Sequence, residues 1–310
     1  MSKPDLSAEL CGVHLRNPLV LAAGILGTGA ELLARVAESG AGMVTTKSCG
    51  PLPREGHPNP TVLDWGYGLI NAVGLANPGV KEEVRIIGRA QEMLGPLGVP
   101  LVASIFAETV EGFAEVARKV GEARPDFIEL NVSCPNVSAE FGRPFACDAG
   151  DAARVTTAVK EVTSVPIIVK LSPNVTDIAA IASSVEQAGA DAIAAINTVG
   201  PGMIIDICSG QPILANKVGG ISGPAIRPIA VRCVYDIYQA VQVPIIGIGG
   251  VSDGRDALEM VMAGATAVGI GSAVRYRGLK VFQTILDEMR AFMSEEGYAT
   301  LDELRGIAHR

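Results

Sequence analysis

The sequence has few cysteines and histidines, and none of them has the spacing of a metal site. Six cysteines occur in 310 residues without a C-x-x-C pair, and the three histidines, His14, His57 and His309, lie far apart along the chain. Neither a zinc site nor an iron–sulfur cluster within this chain is therefore expected. Apart from Cys134, which is considered below, the cysteines are expected to be reduced and to pack mostly as small core residues, as in cytosolic proteins.

The chain is also short of positive charge and of long apolar runs. It has 25 Lys and Arg against 33 Asp and Glu, a net charge of −8, and its basic residues are dispersed, so nucleic acid is not an expected partner. The first ten residues include Lys3, Pro4, Asp5 and Glu9, where a signal peptide needs a continuous apolar stretch, and no later apolar run approaches ~18 residues. We therefore expect a soluble, cytoplasmic protein.

No linker divides the chain. It contains neither a Ser/Gly/Pro-rich stretch nor a run of like charges, and 48% of its residues are apolar. This composition is sufficient for one large hydrophobic core. A single α/β domain spanning residues 1–310 is the expected organisation.

Eight short runs of apolar and β-branched residues recur along the chain and predict strands. They are residues 19–24, 43–48, 100–105, 127–133, 167–171, 192–197, 244–250 and 267–272. Segments with helical periodicity lie between them, for example 111–122, 151–162, 177–188, 226–240 and 255–263. Alternating strands and helices favour a parallel sheet, and eight such units are the number that closes a (β/α)8 TIM barrel. A doubly wound open sheet is less favoured, because the Gly-rich segment at 24–29 lacks the spacing of a dinucleotide-binding turn.

Several of the predicted strands end in polar side chains that a barrel core would not contain. They are Lys47, Ser48, Ser104, Asn131, Ser133, Lys170, Ser172, Asn197 and Thr198. In a barrel, the carboxyl ends of the strands and the loops after them form the active site, and the loops at 49–78, 134–150 and 198–224 are long. Each residue alone would be an ordinary rim or turn residue. Two lysines and two asparagines on one rim together favour an anionic small molecule rich in amide groups.

The last two predicted strands end in glycines, at 247–250 and 269–271, and each leads towards a helix. Glycines there allow backbone N–H groups to approach a phosphate closely, in the position where barrels commonly bind one. They could instead only accommodate tight turns. Their occurrence after both strands favours a phosphate site.

The segment at 131–136, Asn-Val-Ser-Cys-Pro-Asn, starts inside the fourth predicted strand and is broken by Pro135. This places Cys134 just past the end of the strand, in the mouth of the barrel. A cysteine there can act as a nucleophile or a proton acceptor, because an unperturbed thiol pKa of about 8.5 is within reach of neutral pH. An inert cysteine before a proline turn is the alternative. A Cys–His hydrolase is disfavoured, because no histidine lies at an obvious strand end.

Eight segments at the strand ends and in their loops have the form of motifs shared by a known family. They are residues 46–48, 71–79, 131–136, 168–170, 196–198, 219–225, 247–250 and 271–272. In this order they resemble class 1 dihydroorotate dehydrogenases, and the similarity extends from about residue 10 to residue 281. The resemblance implies an FMN-containing enzyme that oxidises dihydroorotate to orotate in pyrimidine (UMP) biosynthesis.

The resemblance also implies roles for individual residues. Cys134 would be the base that removes the C5 proton of dihydroorotate while a hydride leaves C6 for N5 of FMN. The residues that match the family's orotate contacts are Lys47, Asn71, Val73, Gly74, Leu75, Asn131, Asn136, Asn197 and Thr198. Those that match its FMN contacts are Ala23, Gly24, Lys47, Ser48, Ser104, Asn131, Lys170, Ile196, Gly223, Gly249, Gly250, Gly271 and Ser272. Lys170 would face the N1/O2 edge of the flavin, where reduction builds negative charge.

Subtype B of this family implies a partner. The resemblance implies a second subunit that holds FAD and a [2Fe–2S] cluster, with two catalytic chains paired in the centre of a heterotetramer. The segments at 71–79, Asn-Ala-Val-Gly-Leu-Ala-Asn-Pro-Gly, and at 211–216, Gln-Pro-Ile-Leu-Ala-Asn, together favour this subtype over the fumarate-using subtype A. A dihydropyrimidine dehydrogenase barrel would usually have histidine after Pro135, where this chain has Asn136. A barrel without catalytic activity that only binds a phosphorylated ligand stays open as the alternative from another class.

The sequence departs from the family pattern at three places. Ser104 stands where many members have an asparagine that contacts FMN, and Ala23 stands where some members have serine. The loop at 137–148, which is expected to close over the substrate, is more apolar than the Lys/Gly-rich version of other members.

Overall fold

A computed structural model describes residues 3–132 and 145–310. Within these ranges, eight parallel strands close a barrel, and each strand pairs with the next along the chain. The strands are Leu19–Leu21, Met43–Thr45, Leu101–Ile105, Phe127–Asn131, Ile167–Lys170, Ala192–Ala195, Ile245–Ile248 and Ala267–Ile270. The eighth pairs with the first, with Val268 beside Leu19, and this closes the barrel. The predicted (β/α)8 TIM barrel is confirmed.

All eight predicted strands are present, but most end one to three residues earlier than predicted. The first, for example, ends at Leu21 rather than at residue 24, and the second ends at Thr45 rather than at residue 48. The predicted runs thus continue past the ends of the strands. The residues left over begin the loops at the carboxyl end of the barrel, where they are available to a ligand.

Helices form the outer layer of the barrel. They are Ala30–Glu38, Val80–Leu94, Val110–Gly121, Ala149–Lys160, Ile178–Gln187, Arg227–Ala240, Gly254–Met262, Ala273–Arg277 and Val281–Glu296. Four of them begin with a side chain that caps the first turn, from Thr109, Asp148, Asp177 or Asp253. The helix Val110–Gly121 buries residues at the i, i+3, i+4 and i+7 spacing from Phe113 to Val120, which is the pattern of a helix that packs on a sheet. None of the helices in the described part of the chain is long and apolar enough to cross a membrane.

An N-terminal hairpin closes the amino end of the barrel. Its strands, Ala8–Leu10 and Val13–Leu15, are antiparallel. The side chains of Leu10 and Leu15 are fully buried, and they belong to one apolar cluster with interior residues near the starts of the barrel strands, such as Phe127. Apolar side chains fill this end of the barrel, and the described residues leave space for a ligand at the carboxyl end.

A small antiparallel sheet covers part of the carboxyl end, and it was not predicted from the sequence. Its strands, in order, are Val199–Gly202, Gly219–Ser222, Leu69–Asn71 and Val62–Asp64. They come from the two long loops at 49–78 and 198–224. The strands have three or four residues each, and Val199–Gly202 and Gly219–Ser222 contain two glycines each, so no apolar run or alternation predicted them. We call this sheet the roof sheet.

The burial of the cysteines differs in part from the expectation. Cys49 and Cys233 are buried thiols and Cys11 is partly buried, but Cys147 and Cys208 are exposed. The expectation of mostly buried, core-packed cysteines is therefore wrong for the last two. Both lie in or beside the long loops rather than in the barrel layers.

Candidate active site

A cavity of about 220 Å³ lies at the carboxyl end of the barrel, between the strand ends and the roof sheet. Among the described residues, seven of the eight barrel strands or the loops directly after them contribute to its wall, and the roof sheet contributes Val62, Leu69, Asn71 and Ser222. The loops that sequence analysis assigned to the site at 49–78 and 198–224 thus build it. Most of the third long loop, 134–150, lies outside the described residues.

Most of the predicted site residues line this one cavity. They are Ala23, Gly24, Lys47, Ser48, Asn71, Val73, Gly74, Leu75, Asn131, Lys170, Ile196, Asn197, Thr198, Gly223, Gly249, Gly250, Gly271 and Ser272. Ser104 does not line it; its side chain is fully buried one layer behind Ser48. Cys134 and Asn136 lie outside the described residues. The cavity brings the predicted residues together, but the role of each stays a prediction.

Lys170 is a buried cation on the wall of the cavity. It ends the fifth barrel strand and is 5% exposed. Its Nζ lies 3.9 Å from Oε2 of Glu129, which is 3% exposed. This distance is too long for a hydrogen bond but short enough for a strong charge interaction where little water is present. The positive charge of Lys170 on the cavity wall is therefore compensated by the negative charge of Glu129.

Glu129 was not among the site residues predicted from the sequence. Phe127 belongs to the apolar cluster inside the barrel, whereas Ile128 and Leu130 belong to the cluster between strands and helices. Because side chains alternate along a strand, Glu129 and Asn131 share the interior face with Phe127. A glutamate at an inward position of an otherwise apolar strand was the available signal, since an interior carboxylate needs a partner.

A series of hydrogen bonds runs along the cavity wall from this carboxylate. Ser104 Oγ lies 2.9 Å from Glu129 Oε1 and 2.8 Å from Ser48 Oγ. Asn131 Nδ2 donates to Ser48 Oγ at 3.1 Å. On the far side, Asn197 Nδ2 donates to Asn131 Oδ1 at 3.4 Å, and the backbone N–H of Thr198 donates to Asn197 Oδ1 at 2.7 Å. Two of the predicted ligand-binding amides, Asn131 and Asn197, therefore belong to one network.

Val73, Gly74 and Leu75 line the cavity as one segment, in which Gly74 and Leu75 have a left-handed backbone conformation. Gly74 has φ 74° and Leu75 has φ 55°. Asn77 holds the segment from behind, because its Nδ2 donates to Leu75 O at 2.8 Å while its Oδ1 accepts from the backbone of Gly79 at 2.8 Å. Two more contacts support it: Arg54 Nε donates to Gly74 O at 2.8 Å, and His57 N donates to Val73 O at 3.1 Å. Sequence analysis assigned no role to Arg54, His57 or Asn77.

Glu83 lies behind Lys47, and it was also missed. It belongs to the first turn of the helix Val80–Leu94 and is 1% exposed. Burial raises the pKa of its carboxyl to about 7, although a hydrogen bond with the Thr46 side chain and the charge of Lys47 act in the opposite direction. Its Oε1 has no hydrogen-bond partner in the described part of the chain. Burial, together with the charge of Glu83, also raises the pKa of the Cys49 thiol well above its usual value.

Comparison with known proteins gives a consistent result over almost the whole chain. A family model described as "Dihydroorotate dehydrogenase" matches residues 5–293. A protein of Methanothermobacter thermautotrophicus is 48% identical over 98% of this chain and 98% of its own length. Similar proteins of Methanocaldococcus jannaschii, 46% identical over 100% of both chains, and Pyrococcus abyssi, 44% identical over 98% of this chain and 99% of its own, bear the same name. That name is "Dihydroorotate dehydrogenase B (NAD(+)), catalytic subunit".

Proposed function

Because the chain belongs to the dihydroorotate dehydrogenase family, we propose that it is the catalytic subunit of an NAD-linked dihydroorotate dehydrogenase. As an oxidoreductase acting on a CH–CH bond, it oxidises dihydroorotate to orotate in pyrimidine biosynthesis. One observation carries the proposal: the same cavity is lined by Lys47 and Lys170 and by the amides of three asparagines. These are Asn71, Asn131 and Asn197. These groups match a small, planar anion that carries a carboxylate and ring amides. The enzyme is proposed to be cytoplasmic and to fold as one domain over residues 1–310.

The cavity has features that fit flavin mononucleotide. A Cβ on Gly24 would meet no described atom within 4 Å, and one on Gly271 would meet only Ala22 at 3.9 Å, so both glycines leave open space along the wall. Gly249 and Gly250 have φ values of 134° and 76°, which favour glycine and expose the main chain to a phosphate group. When bound, the flavin supplies the hydride acceptor of the reaction. The predicted FMN contacts other than Ser104 are part of this proposal, because Ser104 lies behind Ser48 and does not line the cavity.

The protein's own residues bind the substrate and move its proton. Lys47 and the amides hold the carboxylate and the ring edges of dihydroorotate, and the backbone at Val73–Leu75 completes the site. Asn136 is proposed as a further orotate contact. Cys134 takes the C5 proton, because a thiolate aimed at one C–H group in a site without bulk water is an effective base. Lys170 supplies positive charge on the side of the cavity assigned to the flavin.

A second protein is proposed to complete the enzyme. The relatives are named catalytic subunits of an NAD(+) enzyme, and the present sequence lacks a dinucleotide-binding glycine fingerprint after its first strand. We propose that the partner holds FAD and a [2Fe–2S] cluster, and that two catalytic chains pair at the centre of a heterotetramer. Electrons then leave this chain through the partner.

Acceptor assays test the proposal. The purified chain should be yellow, its flavin should bleach with dihydroorotate, and it should reduce dyes but not NAD. NAD reduction should appear when the partner subunit is added. A colourless protein that cannot be loaded with FMN would contradict the dehydrogenase assignment. If the isolated chain used fumarate as its best acceptor, or reduced NAD efficiently, only the subtype would be wrong.

A further inference from the structure

The hydrogen bonds along the cavity wall, from Glu129 to Asn197, all run in one direction. An ionised carboxylate only accepts hydrogen bonds, so Ser104 must donate its one hydroxyl hydrogen to Glu129 Oε1, 2.9 Å away. Ser104 Oγ must then accept from Ser48 Oγ at 2.8 Å, because it has no second hydrogen to donate. Ser48 in turn accepts from Asn131 Nδ2 at 3.1 Å. Each direction follows from the carboxylate at the end.

The other end of the series is fixed independently and has the same direction. The backbone N–H of Thr198 can only donate, and it does so to Asn197 Oδ1 at 2.7 Å. This turns the Asn197 amide nitrogen towards Asn131 Oδ1, at 3.4 Å. The nitrogen of Asn131 then lies towards Ser48. A backbone donor at one end and a carboxylate acceptor at the other thus agree on one orientation for both amides.

Glu129, Ser104 and Ser48 are all at most 3% exposed, so water does not compete for these hydrogen bonds. Asn131 and Asn197, which also line the cavity, are in contrast partly exposed. A side-chain amide has a donor on one side and an acceptor on the other, and the wrong orientation offers a ligand repulsion instead of a bond. The orientation of these two amides therefore decides which ligand groups the wall accepts.

We propose that Glu129 is a positioning residue that acts through Ser104 and Ser48 to fix the orientation of the Asn131 and Asn197 amides towards orotate and dihydroorotate. The inference rests on the proposed function. It gives Ser104 a different part from direct contact with FMN: in this chain the serine hydroxyl joins a buried carboxylate to the amides that face the substrate. Without Ser104, Ser48 regains a free choice of hydrogen-bond direction. The Asn131 amide then loses this support, and its orientation depends more on the long 3.4 Å contact with Asn197.

The test measures orotate binding to the FMN-loaded protein from the change in flavin absorbance, without turnover. Ser104→Ala should weaken orotate binding roughly tenfold, the size expected for one lost buried hydrogen bond. It should leave FMN content and the flavin reduction potential at their wild-type values, because the charges of Glu129 and Lys170 are retained. Thr156→Val is the control: Thr156 is also fully buried, but its hydroxyl donates to Ala152 O in the helix Ala149–Lys160, away from the cavity.

A second variant keeps the inference testable if Ser104→Ala folds poorly. Glu129→Gln has nearly the same shape, but its carboxamide can donate to Ser104 and reverse the series. It should also weaken orotate binding, and it should raise the flavin reduction potential, because a negative charge beside Lys170 is removed. The double variant combines Ser104→Ala with Glu129→Gln. Its orotate binding should be no weaker than that of the more affected single variant, since both changes interrupt the same series of hydrogen bonds.

Three results would overturn the inference: orotate binding by Ser104→Ala within about twofold of the wild type, equal weakening in Thr156→Val, or additive effects in the double variant. Failure of the wild-type protein to bind FMN or orotate would instead contradict the proposed function. The two failures are therefore distinguishable.

Discussion

Lys170 and Glu129 face each other inside the barrel from neighbouring strands, with Nζ 3.9 Å from Oε2. Each is at most 5% exposed. Removal of one member of a buried pair leaves the other charge without compensation, which is more costly than removal of both. Lys170 could therefore have two functions: it could stabilise the barrel through its pair with Glu129, and it could support a flavin electrostatically. Single and double variants of the pair distinguish the two.

Lys170→Ala should weaken FMN binding or lower the reduction potential of the flavin. It should also lower the free energy of unfolding of the FMN-free protein, by roughly 1–3 kcal/mol, because Glu129 keeps its charge without the cation that compensates it. Adding Glu129→Gln to this variant should restore much of the stability but not the FMN affinity. Urea unfolding and flavin titration of both variants measure the two effects. Normal flavin content and potential in Lys170→Ala would show that Lys170 does not face the cofactor.

Glu83 should make stability depend on pH. Its pKa in the folded protein is about 7, above the value of 4.5 expected when the chain is unfolded. Between these values the folded state binds more protons, so the contribution of Glu83 to stability is complete below about pH 4.5 and is lost as pH rises to about 7. In Glu83→Gln this loss should be absent, and at pH 8 the variant should be more stable than the wild type, by on the order of 3 kcal/mol.

Urea unfolding at several values between about pH 5 and pH 8 checks this prediction. Glu82→Gln is the control, since Glu82 is adjacent but exposed, and the change should alter the free energy of unfolding by less than about 0.5 kcal/mol. If wild type and Glu83→Gln had parallel pH profiles, the Glu83 carboxyl would not titrate in this range.

Much of the barrel could be predicted because each strand is a continuous apolar run, and most of the site because polar residues end those runs. The roof sheet could not be predicted, since its short strands contain glycine and exposed residues and are held by pairing between two distant loops. Glu83 was missed because an acidic residue in a first helical turn is an ordinary feature of a solvated helix. The position of Ser104 behind Ser48 depends on the packing of neighbouring strands, which no local pattern encodes.

The segment at Val73–Leu75 is expected to tolerate no side chain at Gly74. Gly74 has φ 74°, and a Cβ there would lie 2.7 Å from His57 N. Gly74→Ala should therefore displace the backbone that faces the substrate and raise the KM for dihydroorotate at least tenfold, with FMN content unchanged. Gly98→Ala is a matched control, because Gly98 also has a positive φ, 61°, but a Cβ there meets no described atom within 4 Å. It should cost about 1 kcal/mol of stability and leave KM unchanged. Equal kinetics for the two variants would remove the segment from the substrate site.

Cys134 is the proposed base, and its replacement by serine gives the most direct test of the chemistry. A hydroxyl is a far weaker base than a thiolate near neutral pH, so Cys134→Ser should bind FMN and orotate normally but reduce the flavin more slowly by orders of magnitude. Cys147→Ser is the control, because Cys147 is an exposed thiol thirteen residues further along the chain; its flavin reduction should proceed at the wild-type rate.

In the wild type, the rate of flavin reduction should rise with pH as the Cys134 thiol ionises, between about pH 6 and pH 9. Stopped-flow measurement of flavin bleaching by dihydroorotate gives both results. A rate near that of the wild type in Cys134→Ser, or a flat pH profile in the wild type, would mean that another group accepts the proton.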